Sequence, residues 1–283
     1  MTVITWRELW QQTIDVLGER GPARWLCETA CGLDGDDFTA ALDEPATERM
    51  VQQFDAMVAR YRSGEPLAYV MGRWSFRTLD LMVDRRVLIP RPETEWVAER
   101  AIAVAREHSP RVVVDLGTGS GAIGLSMAAE LPVDGTEVWL TDVSVDALDV
   151  ARANVAAVGR GAANVRIAQG VWFEALPDEL RGRVNVIVSN PPYIAVDDVE
   201  VEESVREWEP SSALFAGDDG LRDIEIIVHG AREWLAPGGS LIVEIGHRQG
   251  DAVTALARAA GYADVVIEAD LAQRPRFLHT VFW

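Results

Sequence analysis

Cysteine, positive charge and long apolar runs are all scarce in this chain. Its two cysteines, Cys27 and Cys31, lie four residues apart in a segment with helical spacing, and no histidine or further cysteine lies nearby to complete a zinc site. We therefore expect no metal site, and the low cysteine usage favours a reducing, cytoplasmic location. No run of about 18 uncharged apolar residues is present, so we expect no membrane-spanning helix. The first residues, MTVITWRELWQQ, also lack the apolar core of a secretory signal.

Basic residues are outnumbered by acidic ones. The chain has 26 Lys and Arg against 45 Asp and Glu, which gives a net charge of −19. Such an acidic surface repels phosphate backbones, so we expect no direct binding of nucleic acid. The charge is compatible with a basic protein partner, although solubility alone also explains it.

The pattern of apolar residues changes twice along the 283 residues. Residues 1–72 carry apolar side chains at helical spacing, which predicts a small N-terminal helical domain. Residues 73–92 alternate apolar and polar positions, which predicts a β-hairpin linker that runs into Val87-Leu88-Ile89. In residues 93–283 a first helix is followed by alternating strands and helices. This pattern predicts an α/β domain with a mostly parallel sheet covered on both faces.

The expected elements of this domain follow one another in regular order. A helix is expected from Pro92-Glu93 to about Arg106. Seven strands are expected at Val112–Asp115, Glu137–Asp142, Val165–Gln169, Val184–Ser189, Ser240–Ile245, Asp264–Glu268 and Phe277–Phe282. The helices between them are expected at Ala122–Leu131, Val145–Val158, Gly220–Leu235 and Gln249–Ala260.

The first expected strand ends in a glycine-rich stretch, DLGTGSGAIG, that leads into a helix. Gly119, Gly121 and Gly124 form a G-x-G-x-x-G pattern, and the acid Asp142 closes the next strand about 20 residues on. Glycines let the backbone approach a ligand closely, and the acid can accept hydrogen bonds from a ribose diol. The pattern predicts a nucleoside-type cofactor but does not select one.

Two residues favour S-adenosylmethionine over NAD as that cofactor. Asp115 ends the strand two residues before Gly117, so its carboxylate would face the ligand where a pyrophosphate would be repelled. The same carboxylate suits a cofactor that carries an ammonium and a sulfonium group. A tight turn without any ligand is the alternative for this stretch.

The stretch VSNPPYI holds four residues, Asn190–Tyr193, that we call the Asn-Pro-Pro-Tyr segment. Asn190 and Pro191 each precede a proline and are therefore pushed into extended backbone, and the ring of each proline fixes φ. This stiff segment presents two acceptors, the Asn190 side-chain oxygen and the Pro191 carbonyl, beside the flat ring of Tyr193. Two convergent acceptors suit a planar –NH2 group and would aim its nitrogen at an electrophilic methyl without a strong base. A proline-rich loop without a site would explain the prolines but not Asn190 and Tyr193.

Residues from about Gly64 to Arg276 resemble the peptide chain release factor N5-glutamine methyltransferases, the HemK/PrmC family. The matching stretches, in order, are EPLAYVMG, VLIPRPETE, DLGTGSGAIGL, ALDVARANV, VSNPPYI, EPSSALFAGDDGL, LAPGGSLIVEIGHRQG and DLA. The resemblance implies a class I, Rossmann-like methyltransferase with a mostly parallel seven-stranded sheet and an N-terminal helical substrate-recognition domain. It also implies methyl transfer from S-adenosylmethionine to the side-chain amide nitrogen of the glutamine in the Gly-Gly-Gln motif of bacterial release factors.

The resemblance assigns roles to residues at matching positions. The glycine loop would cradle the methionine part of the cofactor, Asp142 would hold its ribose, and Trp172 would pack near its adenine. The implied cofactor-binding residues are Gly117, Thr118, Gly119, Ser120, Gly121, Asp142, Trp172 and Asn190. The implied substrate-binding residues are Asn190, Pro191, Pro192 and Tyr193, of which Asn190, Pro191 and Tyr193 would be catalytic.

Some positions depart from the family pattern or have a plain structural alternative. Val171 stands where the family usually has an acid that helps to hold the adenine, and Ile224-Glu225 stand where the family tends to carry Tyr-Arg. Arg91 and Glu93 match a family motif, but an ion pair or a helix start explains them as well as substrate contact does. Glu209 has the same status, with a structural turn as its alternative.

Other functions remain open at this level. An amino-methyltransferase acting on adenine in nucleic acid would use a similar segment around a flipped base. The acidic stretch from Asp197 to Glu203 argues against nucleic acid; it could attract an arginine-bearing release-factor loop, or it could simply be solvated. An NAD-dependent dehydrogenase is supported only by the glycine pattern, and a cofactor-binding module without catalysis is compatible with the whole sequence.

Overall fold

The computed structural model describes residues 4–270 and 272–283. Residues 1–3 of the predicted N-terminal domain and Leu271 of the DLA stretch lie outside the described residues. The described chain divides into two compact units, one ending at Arg73 and the other spanning Trp74–Trp283. Within the part of the chain that is described, no helix has the length and apolar character needed to cross a membrane.

The first unit is helical, as its apolar spacing predicts. Its helices are α1 (Trp6–Leu17), α2 (Arg20–Cys31), α3 (Gly35–Ala40), α4 (Glu48–Arg62) and α5 (Leu67–Met71). The start of α1 is a capping box: the Thr5 hydroxyl accepts the N–H of Glu8, whose carboxylate accepts the N–H of Thr5. Cys27 lies in the apolar core of this unit, and burial raises the pKa of its thiol to about 12.

The hairpin strands are shorter than the alternation predicts. They are β1 (Arg73–Phe76) and β2 (Leu79–Met82), so the predicted continuation into Val87-Leu88-Ile89 is wrong. The carboxylate of Asp84 accepts the N–H of Arg86 at 3.0 Å, and the Asp84 carbonyl accepts the N–H of Val87 at 3.1 Å. This local turn competes with a strand ladder and ends the hairpin.

The second unit contains the predicted alternation of strands and helices, with boundaries shifted by a few residues. Its remaining elements are α6 (Thr94–Ala105), β3 (Arg111–Leu116), α7 (Ala122–Glu130), β4 (Thr136–Asp142), α8 (Val145–Val158), β5 (Val165–Gln169), β6 (Val184–Ser189), α9 (Glu203–Trp208), α10 (Arg222–Trp234), β7 (Leu235–Glu244), α11 (Gly250–Ala259), β8 (Asp264–Ala269) and β9 (Pro275–Phe282). The largest shift is in β7, which begins at Leu235 rather than at Ser240. Its early part pairs Leu235 with Val184 across an irregularity in the register.

In the described residues the sheet has seven strands in the order β5-β4-β3-β6-β7-β9-β8. Neighbours from β5 to β7 are parallel, whereas β9 runs antiparallel to both β7 and β8. As predicted, Val184–Ser189 lies beside the first strand of the domain. The ends of β3, β4 and β6 therefore meet at one edge of the sheet, where open α/β sheets bind ligands.

Apolar side chains cover both faces of the sheet. Along β3, Val113 packs into one core cluster with helices α6 and α7, while its neighbour Val114 packs into another with α10 and α11. Because successive side chains of a strand point to opposite faces, a strand buried on both sides is continuously apolar. This is why β3 and β6 are recognisable in the sequence.

A buried asparagine joins the hairpin to the glycine-rich loop. Asn154 on α8 is 1% exposed. Its side-chain oxygen accepts the N–H of Met82 at 2.7 Å, and its nitrogen donates to the carbonyls of Met82 at 3.0 Å and of Ser120 at 2.8 Å. One side chain thus bonds backbone groups of strand β2 and of the glycine-rich loop.

We expect Asn154→Ala to lower the free energy of unfolding by about 1–3 kcal/mol, because it leaves buried backbone groups without partners. Urea denaturation measures the change. The control is Arg152→Ala on the same helix, which removes an exposed ion pair with Asp149 and should change stability by about 0.5 kcal/mol or less. Equal effects of the two substitutions would contradict the assigned role of Asn154.

Candidate active site

The glycine-rich loop after β3 depends on backbone conformations and spaces that side chains would disturb. Gly117 and Gly119 have φ of 68° and 55°, in the left-handed region that favours glycine. A Cβ at Gly117 would lie 3.3 Å from the ring of Trp172, and a Cβ at Gly124 would lie 2.1 Å from a Leu140 methyl carbon. Gly117 therefore permits close contact of the loop with Trp172. Gly124 permits close packing of α7 against β4.

The buried carboxylate of Asp115 forms hydrogen bonds with two residues of this loop. It is 2% exposed, and its Oδ2 accepts the Thr118 hydroxyl at 2.6 Å and the N–H of Gly124 at 2.9 Å. Burial raises the pKa of Asp115 to about 6, against the opposing effect of these hydrogen bonds. The carboxylate borders the cavity described below, as expected from the sequence, but one of its oxygens is committed to the loop rather than free for a ligand.

Asp142 at the end of β4 is held by both of its oxygens. Oδ2 accepts the N–H of Gly119 and Oδ1 accepts the N–H of Ser144, each at 2.9 Å. Burial raises the pKa of Asp142, while the backbone N–H groups lower it. Its carboxylate is thus fixed in direction and still has lone pairs for further donors.

A cavity of about 570 Å³ lies at this edge of the sheet. The predicted cofactor residues that line it are Gly117, Thr118, Gly119, Ser120, Asp142, Trp172 and Asn190. Gly121, which was also predicted, is not among the lining residues; it precedes α7 with φ of 88° and turns the chain into that helix.

One wall of this cavity is apolar. Trp172 has φ of 48° in a short 3-10 turn after β5, and its ring lies against Gly117. Val171 also lines the cavity and is 48% exposed. A valine side chain at this position offers van der Waals contact but no hydrogen bond.

The Asn-Pro-Pro-Tyr segment begins where β6 ends. The Ser189 hydroxyl donates to the carbonyl of Leu116 at 2.7 Å, which ties β6 to β3 just before the segment. The Nδ2 of Asn190 donates to the Thr94 hydroxyl oxygen at 3.2 Å. Since its nitrogen is engaged in this way, the side-chain oxygen of Asn190 is the group left to accept a hydrogen bond.

Tyr193 is held at both its backbone and its hydroxyl. Its carbonyl accepts the Gln249 side-chain N–H at 3.0 Å, and its hydroxyl donates to Oε1 of Glu244 at 3.2 Å. Gly220 packs against the same carbonyl so closely that a Cβ would lie 2.2 Å from the oxygen. Burial and the nearby Glu244 carboxyl raise the pKa of Tyr193 far above its ordinary value, so its hydroxyl stays protonated.

A smaller cavity, of about 320 Å³, also borders the segment. Pro191 and Tyr193 line it, whereas Pro192 lines the larger cavity, and Asn190 borders both. Acidic side chains contribute to the smaller cavity: Asp198, Glu200 and Glu202. Residues of the segment therefore line both cavities, and Asn190 is common to the two.

Arg91, Glu93 and Glu209 form ion pairs in this unit. The Arg91 guanidinium lies 2.6 Å from a carboxylate oxygen of Glu209, whose side chain is 2% exposed and also accepts the N–H of Ile89 at 3.3 Å. Glu93 accepts a hydrogen bond from Arg276 at 3.3 Å. The ion pairs that were one interpretation of Arg91 and Glu93 are present, and Glu209, expected in a structural turn, is the partner of Arg91.

No sequence pattern predicted a role for Thr94, Glu244 and Gln249, although all three contact the Asn-Pro-Pro-Tyr segment. Each lies in a stretch that carries the family resemblance, VLIPRPETE or LIVEIGHRQG. Glu244 carried a signal that could have been used, since it is an acid at the end of an otherwise apolar strand. Thr94 carried no signal of this kind, because threonine is ordinary in the first turn of a helix.

Comparisons with known proteins agree with this geometry. A family model described as "PrmC N-terminal domain" matches residues 11–72, and one described as "Methyltransferase small domain" matches residues 101–206. The release factor glutamine methyltransferase of Xylella fastidiosa (strain 9a5c) is 44% identical over 234 residues, which cover 83% of this chain and 82% of that protein. That of Escherichia coli (strain K12) is 40% identical over 247 residues, which cover 87% and 86% of the two chains.

A solved structure supports the fold independently. The crystal structure of a methyltransferase from Pyrococcus furiosus is 18% identical in sequence and superposes with a TM-score of 0.52, covering 79% of this chain and 96% of that chain. At this level of identity the likeness concerns the fold alone, and it confirms the predicted methyltransferase architecture. From the identities to the curated relatives over most of its length, the chain belongs to the release factor glutamine methyltransferase family, as the resemblance of its motifs predicted.

Proposed function

We propose that this protein transfers a methyl group from S-adenosylmethionine to the side-chain amide nitrogen (N5) of the glutamine in the Gly-Gly-Gln motif of bacterial peptide chain release factors. The observation that carries the proposal is the position of Asn190, which borders both cavities and has its amide nitrogen engaged by Thr94. The printed function of the relatives supports the choice of substrate.

The larger cavity fits S-adenosylmethionine in size and in chemistry. The fixed carboxylate of Asp142 suits the two donors of a ribose diol, and the partly exposed backbone of Gly117 and Gly119 permits close approach of the methionine part. Trp172 and Val171 offer an apolar wall to the adenine. When bound, the cofactor supplies a methyl group activated by the positive charge of its sulfonium.

The Asn-Pro-Pro-Tyr segment binds and orients the acceptor. A primary amide is a poor nucleophile because its nitrogen lone pair is delocalised into the carbonyl. In the proposed complex, Asn190 Oδ1 and the Pro191 carbonyl accept the two N–H bonds of the glutamine side chain, which directs the nitrogen toward the larger cavity. Positioning and electrostatics of this kind lower the barrier without a strong base. The prolines favour the bound conformation because they remove backbone freedom before the substrate arrives.

The N-terminal helical unit is assigned to recognition of the release factor. A single glutamine side chain occupies only the smaller cavity, and selection of one glutamine among many in a protein needs a wider surface. The match of residues 11–72 to the "PrmC N-terminal domain" supports this assignment.

Incubation of the purified protein with a bacterial release factor and methyl-labelled S-adenosylmethionine tests the proposed reaction. We expect one methyl group on the glutamine of the Gly-Gly-Gln motif, located by peptide mapping, and no label when that glutamine is replaced by glutamate. Nucleic acid is added in a parallel sample. Label on adenine instead of glutamine would overturn the proposal in favour of the amino-methyltransferase alternative.

We expect Asn190→Ala to lower kcat by at least about 100-fold, because it removes an acceptor that orients the reacting nitrogen. Cofactor affinity, measured by calorimetry, should stay nearly unchanged. Asn164→Ala, which truncates an asparagine at the start of β5 on the opposite edge of the sheet, is the matched control and should keep normal turnover. Near-normal turnover of Asn190→Ala would show that the positioning argument is wrong.

For Asp142→Ala we expect the Kd for S-adenosylmethionine to rise about 10- to 100-fold, since hydrogen bonds to a charged group contribute about 1.5–3 kcal/mol. Equilibrium dialysis with the labelled cofactor measures the change. Asp149→Ala on the exposed face of α8 serves as control, because it also removes one negative charge. Equal affinity of the Asp142 variant and the wild type would place the ribose elsewhere.

A further inference from the structure

A buried carboxyl group lies behind the Asn-Pro-Pro-Tyr segment and has no part in the reaction described so far. Glu244, the last residue of β7, is 2% exposed and follows the apolar run Leu241–Val243. Its Oε1 accepts the Tyr193 hydroxyl at 3.2 Å. Its Oε2 is buried and makes no conventional hydrogen bond with the described residues. An acid placed there costs desolvation energy, so its presence requires a reason other than stability.

Thr94 connects this carboxyl group to the other end of the segment. It is 3% exposed, begins α6, and accepts the Asn190 Nδ2–H through its hydroxyl oxygen. The Thr94 hydroxyl is also among the groups that lower the pKa of Glu244. Glu244 thus accepts the hydroxyl of Tyr193, and its pKa responds to the Thr94 hydroxyl that holds Asn190.

The direction of these hydrogen bonds decides which way the Asn190 amide faces. A hydroxyl group has a single hydrogen. When Thr94 directs that hydrogen toward Glu244, its oxygen can only accept from Asn190, so the amide nitrogen must face Thr94 and the amide oxygen must face the cavities. In the opposite arrangement Asn190 would present its –NH2 group to the substrate –NH2 group. Two donors would then meet, and neither would be satisfied.

We infer that Glu244 and Thr94 are positioning residues, which hold the Asn190 side chain with its oxygen directed at the substrate amide and fix the ring of Tyr193 beside it. The inference rests on the proposed function of the segment. Neither residue touches the reacting atoms; both act through Asn190 and Tyr193.

The charges around Glu244 make the arrangement sensitive to pH. Burial raises the pKa of Glu244 to about 7, the Thr94 and Tyr193 hydroxyls lower it, Glu93 raises it and Arg276 lowers it. On the neighbouring strand β9, the residue opposite Glu244 is the uncharged Phe277. Below about pH 7 Glu244 becomes a neutral acid, and its own O–H competes for the hydroxyl oxygens beside it. Turnover should therefore fall as the pH decreases through this value.

The test compares Glu244→Gln, Thr94→Val and Thr94→Ser with the wild type under saturating S-adenosylmethionine. A glutamine side chain replaces one carboxylate oxygen by an –NH2 group, which removes an acceptor and places a donor beside the two hydroxyls. We expect Glu244→Gln and Thr94→Val each to lower kcat by about tenfold or more, with cofactor Kd and melting temperature close to the wild-type values. Thr94→Ser should retain most of the activity. The dependence of kcat on pH near 7 should be absent from Glu244→Gln.

Glu233→Gln, an equivalent change at an exposed position of α10, is the matched control and should leave kcat and its pH dependence unchanged. Wild-type kcat in both Glu244→Gln and Thr94→Val would overturn the inference. So would a loss of kcat that is accompanied by an equal loss of cofactor affinity or by unfolding, since the role would then be structural. If Glu244→Gln does not fold, Thr94→Val decides alone.

A measurement without catalysis separates this inference from the proposed function. The Asn190 side-chain amide signal in the nitrogen-15 NMR spectrum is identified by its absence from Asn190→Asp. We expect this signal to shift in both Glu244→Gln and Thr94→Val and to remain unchanged in Glu233→Gln. If the wild type fails to methylate the release factor, the proposed function fails while the amide signal still tests the positioning role. An Asn190 amide signal that does not shift in either variant would overturn the positioning role of Glu244 and Thr94.

Discussion

The hydrogen bond from the Asn190 amide nitrogen to the Thr94 hydroxyl is the contact on which the proposed chemistry depends. An amide group carries a donor and an acceptor of nearly the same shape, so sterics alone do not choose between its two orientations. The surroundings must make the choice, and at this site they do so with a single hydroxyl. In the proposed reaction, methyl transfer to the planar nitrogen then depends on the position of the Asn190 side-chain oxygen, because no strong base is required.

The sheet supplies the rigidity that such positioning needs. Adjacent parallel strands β3 and β6 bring the glycine-rich loop and the Asn-Pro-Pro-Tyr segment to the same edge, and Ser189 ties the two strands together there. Gln249 and Gly220 fix the far end of the segment at the Tyr193 carbonyl. Short connections from a buried sheet thus hold both the donor and the acceptor sides of the site.

Carboxyl groups with raised pKa values are concentrated at this edge. Asp115 and Glu244 are buried, and Asp142 is partly buried, so each loses hydration in the folded protein. Hydroxyl or backbone N–H donors offset part of that loss in every case. Groups of this kind mark functional sites more often than structural ones, because a well-packed apolar residue would stabilise the same position better.

The sequence by itself determined the α/β architecture, most strand positions and the family, because continuous apolar strands, glycine turns and prolines constrain the backbone locally. It also indicated the Asn190 acceptor and the Asp142 carboxylate. It misjudged the hairpin end, where the side chain of Asp84 forms a turn, and it did not indicate that one oxygen of Asp115 is bonded within the glycine-rich loop. Only the tertiary structure brought Thr94 and Glu244 to the Asn-Pro-Pro-Tyr segment, from about 96 residues before Asn190 and about 51 after Tyr193 along the chain. Contacts between such distant residues arise from strand order and packing, which leave no local pattern in the sequence.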